Sequence, residues 1–379
     1  MVRLLYFASS RGIGLTTHLT EYAIGLKNQR VNIIVVHNGV EQEKDLISEL
    51  NKYNVKNVVI RSLESLNPIS FFINIIKLSK IINNNNINII HCQGIYHLIM
   101  SYFAKKISKR KPKVVTQVHS YYYRSKNYRL FLFFATTIMN LLSDVILSVS
   151  KQTKYVLVRH GLKLDKLTII YNALNIKKIK YYLCNESEEF KNIITAIKDR
   201  KVIIYAAKLT YGKGHDTLLF AAKKVVEFFP DVLFVLAGDG ELKNELIKLT
   251  KKLNIKNNVI FTGRLKYQSL IKLMKHSYIG VIPSYAETFC HALIEPMAVG
   301  KPVISTPVGV AEEVISNGKT GYLVSIKNSD ELAEKIIYLL DTPSLVRKMG
   351  KNAKNLIEKK FTIKEISRNL IKIYKSIKS

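Results

Sequence analysis

The sequence is short of acid. Its 379 residues carry 59 Lys and Arg against 28 Asp and Glu, a net charge of +31, which favours phosphates, acidic polymers or an anionic membrane surface as partners but names no reaction. A lysine- and asparagine-rich composition spread over solvated surface produces the same excess. Cysteine is scarce as well: Cys92, Cys184 and Cys290 show no CxxC spacing, so neither a disulfide framework nor a zinc site is expected, and a reducing cytoplasm fits best. Long apolar runs are missing. The longest, "LFLFFATTIMNLLSDVILSVS" at 130–150, is interrupted by Asn140 and Asp144 and falls short of the ~20 apolar residues a membrane-spanning helix needs. The opening "MVRLLYFASSRG" reads as a first strand and not as a signal peptide.

Two nucleotide fingerprints are incomplete. "SSRGIGLTTH" offers Gly12 and Gly14, but Thr17 stands where a dinucleotide-binding turn needs a third glycine. His37 and Asn38 stand where that motif needs an acid after the second strand, so a nicotinamide cofactor is not expected. "YAAKLTYGKGHDTLL" lacks the spacing and the Ser or Thr after lysine of a Walker loop.

What is present is a repeated architecture. The β-branched runs "VRLLYFA", "VNIIVVH", "NVVIRS", "INIIHCQ", "KVVTQVH", "VILSVS" and "LTIIYN" are apolar without alternation and separated by helix-like segments, the mark of parallel strands buried on both faces. After residue 200 the series restarts with "KVIIYAA", "VLFVLAG", "NVIFTG", "IGVIPS" and "KPVISTP". A chain of this length exceeds what one core holds. The reading is therefore an α/β protein of two Rossmann-like, doubly wound parallel-sheet domains, 1–176 and 177–361, facing a central cleft in which ligands meet the carboxyl ends of the strands. The polar stretch 175–201 is taken as the connection. In "TIKEISRNLIKIYKSIK", Ile363, Ile366, Leu370, Tyr374 and Ile377 recur at helical spacing, so 362–379 is expected to be an amphipathic helix that packs back on the first domain.

The candidate site residues sit at strand ends. Gly12 and Gly14 precede the first predicted helix, which would hold His18, and glycines there let backbone amides approach an anion. Lys208 ends the first strand of the second series, and Lys213 with Gly214 precedes the next helix; two cations at that place suit a diphosphate. Gly238 in "LAGDGELKNEL" marks a further glycine turn after a strand. In "SYAETFCHALIEPMAVGKPV", Glu287 follows a strand and Glu295 lies on the next helix, whose amides from Phe289 through Cys290 to His291 point to the same space. Two carboxylates so placed can accept hydrogen bonds from vicinal hydroxyls, such as those of a sugar and a ribose. Taken by itself, His119, ending the fifth strand, reads first as a hydrogen-bonded histidine at a sheet edge, and no His and acid pair stands beside Cys290 in a recognisable arrangement that would make it a nucleophile.

The sequence resembles the retaining glycosyltransferases of the GT-B fold, glycosyltransferase family 4 or group 1. "AAKLTYGKGHDTLLFA", "VLAGDGELKNEL", "VIFTGRL" and "VIPSYAETFCHALIEPMAVGKPVISTPVGVAEEVISNGKTGYLV" follow the family's order and spacing, and "RGIGLTTHL", "VVTQVHS", "VILSVSKQT" and "IIYNALNI" look like its N-terminal motifs. The resemblance implies that Glu295 holds the ribose of a nucleotide diphosphate sugar and Glu287 the donor sugar's hydroxyls. Lys208 and Lys213 would take the diphosphate. His119 would face the donor sugar near the anomeric carbon, and Gly14 would approach the phosphate on domain closure. No cofactor and no metal is implied: the chain has no DxD, and lysines with helix N-termini would stabilise the leaving diphosphate. Three departures stand out, namely Lys208 where the family usually has Arg, Thr288-Phe289-Cys290 where it often has Gly-Phe-Gly, and Ala173 after Asn172 in place of Gly.

Two basic stretches complete the reading. "KKISKRKPK" at 105–113 packs basic residues densely, and "YYYRSKNYR" at 121–129 mixes them with tyrosine. Such a face could lie on anionic lipid, be a solvated loop, or follow a nucleic acid. The expectation is a cytoplasmic transferase, peripheral on the inner face of the cell membrane, that passes a hexosyl or N-acetylhexosaminyl group to a saccharide or lipid-linked acceptor, with no nucleic-acid partner. A nucleotide-sugar epimerase on the same fold, a nucleic-acid-binding protein and an idle scaffold are the alternatives.

Overall fold

The structure is a computed structural model and describes residues 1–8, 13–61, 63, 67–119 and 128–378. The chain opens with β1 (Arg3–Phe7), α1 (Ile13–Asn28), β2 (Asn32–His37), α2 (Lys44–Lys52), β3 (Lys56–Val59), α3 (Pro68–Asn84) and β4 (Ile89–Gln93). It goes on through α4 (Gly94–Ile107), β5 (Lys113–Val118), α5 (Tyr128–Leu142), β6 (Val145–Ser148), α6 (Lys151–Arg159) and β7 (Leu167–Ile169). All these strands run parallel in one sheet of order β3-β2-β1-β4-β5-β6-β7.

Alternate residues of β1 serve opposite faces, as the two-residue period of a strand requires. Leu5 and Phe7 join Ile75, Leu78, Leu98 and Met139 beneath α3, α4 and α5. Leu4 and Tyr6 join Leu19, Tyr22 and Leu50 beneath α1 and α2. Helix starts are fixed locally: the Asn67 side chain accepts from the Ile69 and Ser70 amides with Pro68 at the first position of α3, and Ser150 caps α6 through the Thr153 amide.

The second series comprises α7 (Ile176–Cys184), α8 (Glu188–Ile197), β8 (Val202–Ala206), α9 (His215–Phe228), β9 (Leu233–Ala237), α10 (Lys243–Lys252), β10 (Val259–Gly263) and α11 (Tyr267–His276). There follow β11 (Ile279–Ile282), α12 (His291–Ala298), β12 (Val303–Ser305), α13 (Ala311–Val314), β13 (Gly321–Leu323), α14 (Ser329–Asp341), α15 (Pro343–Lys360) and α16 (Ile363–Lys378). The six strands form a parallel sheet of order β10-β9-β8-β11-β12-β13. In both sheets the order reverses beside the first strand, between β1 and β4 and between β8 and β11, which makes each a doubly wound Rossmann-like domain.

Contacts divide the chain into one unit of Met1–Leu174 with Phe361–Ser379 and a second of Asn175–Lys360. The return of α16 to the first unit is set by packing. Ile366, Leu370 and Tyr374 enter the core cluster beneath α1, the Leu174 amide donates to the Phe361 carbonyl at 2.7 Å, and a side chain at Gly25 would meet Ser367 Oγ at 2.1 Å.

Three sequence expectations are corrected. The stretch 175–201 is no bare connection, because Asn175 and Ser187 cap two helices there, α7 and α8. A sixth strand, β13, closes the second sheet; it has three residues, too few for an apolar run to announce. Gly14 lies inside α1, which begins at Ile13, and not in a turn before it. Gly12 and most of the 121–129 stretch lie outside the described residues.

Candidate functional site

In the second unit the site grows from β8 and β11, neighbours at the point where strand order reverses. Gly214 makes this possible. It caps α9 in the left-handed conformation (φ 67°), and a Cβ there would stand 2.0 Å from the Pro283 carbonyl oxygen. With only hydrogen at that position the turn after β8 lies directly against the loop after β11, and the Tyr285 amide donates to the Gly212 carbonyl at 2.8 Å.

That contact brings Lys213 to Glu287. Lys213 Nζ donates to Glu287 Oε1 at 2.6 Å, and Ser284 Oγ donates to the same oxygen at 3.1 Å. Tyr205, on β8, lies behind them: its hydroxyl donates to the Lys213 carbonyl at 2.8 Å and stands 2.9 Å from Ser284 Oγ. Lys213 and Glu287 both remain partly open to solvent, 27% and 17% exposed, so a ligand can reach them. The pairing was not foreseen: the two side chains assigned to diphosphate and to sugar bind each other. An ammonium has three donors, which leaves Lys213 able to hold Glu287 and an anion together. Ser284 and Tyr205 were also missed; their signal is a hydroxyl near the carboxyl end of an otherwise apolar strand run, Tyr205 one residue before the end of β8 and Ser284 two residues after that of β11.

Neighbouring loops interlock around this pair. A Cβ on Gly238, after β9, would lie 1.9 Å from the Ala207 carbonyl oxygen, and one on Gly309, after β12, 2.4 Å from that of Phe289. The Val310 amide donates to the Phe289 carbonyl at 3.1 Å. Lys208 is exposed, two residues beyond the end of β8.

Phe289 and Cys290 are buried just before α12. Cys290 holds φ at 76°, a conformation that favours glycine, and occupies the place where the family often has the second glycine of Gly-Phe-Gly. Burial pushes its thiol well up, which removes the thiolate a nucleophile needs. The rings of Phe289 and His291 meet edge to face at 5.1 Å, and burial pulls the His291 imidazole down to about 4. Glu295, one turn into α12, is 8% exposed, and burial raises its carboxyl to about 7, with a hydrogen bond to Tyr267 working against the rise.

In the first unit His119 follows β5, and its Nε2 lies 2.7 Å from Oε1 of Gln93, the last residue of the adjacent β4. An amide oxygen only accepts, so Nε2 carries the proton. The Gln93 carbonyl in turn accepts from His97 Nδ1 at 2.9 Å. Gln93 was not singled out from sequence, although it ends the buried run "IIHCQ" as His119 ends "VVTQVH". Among the described residues no group of three or more His, Cys, Asp or Glu could hold a metal ion. No described helix is long and apolar enough to cross a membrane.

Two doubly wound parallel-sheet domains, with a charged cluster at the strand-order switch point of the second, fit the GT-B class of α/β proteins. Known proteins agree. The family model described as "Glycosyltransferase Family 4" matches residues 13–178, and that described as "Glycosyl transferases group 1" matches 186–356; the chain belongs to this glycosyltransferase family. It is 31% identical over 212 residues to the uncharacterized glycosyltransferase MJ1607 of Methanocaldococcus jannaschii, a match that covers 56% of this chain and 54% of that protein. It is 27% identical over 312 residues to the N-acetyl-alpha-D-glucosaminyl L-malate synthase of Bacillus anthracis, covering 79% and 77%. Anabaena Alr3699/HepE in complex with UDP superposes with a TM-score of 0.81 over 99% of this chain and 100% of that one, at 19% identity, which shows the shared fold.

Proposed function

We propose that the protein is a retaining, metal-independent glycosyltransferase that moves a hexosyl or N-acetylhexosaminyl group from a nucleotide diphosphate sugar, UDP before GDP, to a saccharide acceptor carried on a lipid. The observation that carries this is the Lys213–Glu287 pair at the switch point, with Glu295 buried one turn into the next helix. Lys213, aided by Lys208, neutralises the diphosphate; Glu287 orients the sugar through its hydroxyls; Glu295 takes the ribose. The bond from the anomeric carbon to the phosphate oxygen breaks while the acceptor oxygen bonds to the same face of the sugar, and the acceptor proton passes to the departing diphosphate. His119, its tautomer fixed by Gln93, contacts the donor sugar near the reacting carbon. The malate synthase named above acts, by its name, with an N-acetylglucosaminyl group, and the HepE structure holds UDP; both support this choice of donor. The setting is cell-surface glycan synthesis, with the enzyme on the cytoplasmic face of the membrane.

The test is a thermal-shift panel of nucleoside diphosphates and their sugars followed by transfer assays. A ligand that binds only the folded state raises the melting temperature. UDP and a UDP-sugar are expected to stabilise the protein, and Lys213→Ala and Glu287→Ala to abolish transfer while the protein stays folded. Full activity in both variants refutes the site.

A further inference from the structure

Helices α3, α4 and α5 form one layer on the first sheet, with α4 packed between the other two. Their inward sides are accounted for by the core; their outward sides are also apolar. On α3, Ile69, Phe72, Ile73 and Ile76 are all exposed, Phe72 by 65%, at the i, i+3, i+4, i+7 spacing of one helix face, while Ile75, Leu78 and Ile82 fill the core on the other. On α5 the pattern repeats: Leu130, Phe133, Phe134 and Leu141 are exposed, Leu141 by 73%, opposite the buried Leu132, Ala135 and Met139. Phe103 and Ile107 of α4, one turn apart and both exposed, continue the surface. A helix with an apolar stripe on its outward side as well as its inward one is one that something covers, and isolated exposed apolar residues do not gather on three adjacent helices.

Charge selects the cover. Between Glu64 and Asp144 the chain has no acidic residue at all and eleven Lys and Arg, among them the exposed Lys77 and Lys80 on α3 and Lys106 on α4. A second copy of the same face would bring uncompensated cations together. A nucleic acid would match the cations and leave the phenylalanine and isoleucine in water. An anionic bilayer meets both, with apolar side chains in the interface and lysines at the headgroups.

We infer that the outer face of α3, α4 and α5 is the surface on which the protein lies on an anionic lipid bilayer. This deepens the reading of a lipid-carried acceptor and rests on it for its purpose, but its test does not use turnover. The chain contains no tryptophan, so Phe72→Trp and Phe134→Trp each introduce a sole indole on the face, and Phe228→Trp places one at an exposed position of the second unit, where Phe228 is 67% exposed. With vesicles of phosphatidylcholine mixed with phosphatidylglycerol, fluorescence from positions 72 and 134 is expected to shift to the blue and be quenched by brominated lipid, while that from position 228 stays unchanged. The double substitution Phe72→Gln with Phe134→Gln is expected to weaken vesicle binding about a hundredfold, about tenfold per phenylalanine withdrawn from the interface, without changing the melting temperature or the UDP-induced thermal shift. An unshifted indole at 72 and 134, or an equal shift at 228, overturns the inference. So does a dimer of the parent protein, without lipid, that the double substitution splits. If vesicles bind but no UDP-sugar does, the surface stands and the proposed function falls; the reverse result separates them the other way.

Discussion

Glu295 is the residue whose environment makes the sharpest prediction. In the unfolded chain its carboxyl ionises near the ordinary value of 4.5; in the folded protein burial delays this to about 7. Between those limits the folded state holds more protons, so this group's contribution to stability falls as pH rises through the window. Glutamine cannot ionise. The stability of Glu295→Gln relative to the parent should therefore grow from about pH 4.5, by at most ~1.4 kcal/mol per pH unit, and level off above about 7. The depressed His291 imidazole is common to both proteins and cancels to first order. Urea unfolding of the pair across this range checks the point, and a difference independent of pH would show that Glu295 titrates normally. Gln93 offers a second test at the same scale. On the role proposed for His119, it is a positioning residue that would act on the substrate only through that imidazole. Replacing its amide by a carboxylate in Gln93→Glu puts a negative charge 2.7 Å from the imidazole and should move any His119-dependent acidic limb of the pH–rate profile upward by about 1–3 units. A purely structural role for Gln93 would leave that limb in place.

At the scale of elements, the turn between β8 and α9 separates two effects that glycine substitutions usually mix. Gly212 and Gly214 both have positive φ, 82° and 67°. A Cβ on Gly212 meets nothing within 4 Å, whereas one on Gly214 meets the Pro283 carbonyl oxygen at 2.0 Å. Gly212→Ala should then cost only the backbone strain, about 1 kcal/mol. Gly214→Ala must also push the β11 loop away, which should cost several kcal/mol and separate Lys213 from Glu287. Denaturant midpoints and UDP-induced stabilisation of both variants measure the two parts. The same turn shows what was legible beforehand. "YGKG" announces a tight turn after a strand, but the approach of Pro283 and the ion pair it creates depend on a segment some seventy positions away, which no local pattern reports. Seven apolar runs and then five correctly mark β1 to β7 and β8 to β12. The short β13 is defined by its partner instead: the Gly321 Cα lies against the Val303 backbone so closely that a Cβ would be 2.0 Å from its carbonyl oxygen. On α5 the apolar content was plain in the sequence, whereas its division into a core side and an open side follows only from the place of the helix on the sheet.

For the molecule as a whole, the crossing of the chain back to the first unit decides how it comes apart. Phe361, Ile366, Leu370 and Tyr374 are each at most 1% exposed, and the Tyr374 hydroxyl reaches His91 Nδ1 on β4 at 2.6 Å. Burying four large side chains is worth about 1.5–3 kcal/mol each, a sum of the same order as the whole stability of an ordinary domain. His91 feels the same burial, which lowers its imidazole to about 3, so loss of Tyr374 would leave a neutral ring nitrogen without its partner in the core. Truncation after Lys360 should accordingly unfold the first unit and leave the second, Asn175–Lys360, intact, because the last nineteen residues belong to the first unit alone. Hydrogen exchange would show this as lost protection in β1, β4 and β5 with protection kept in β8, β9 and β11. The truncated protein should still be stabilised by UDP if the nucleotide is held by the second unit as proposed, and it should transfer no sugar. Equal loss of protection in both sheets would mean that the two units unfold as one and that α16 supports the molecule and not a single domain.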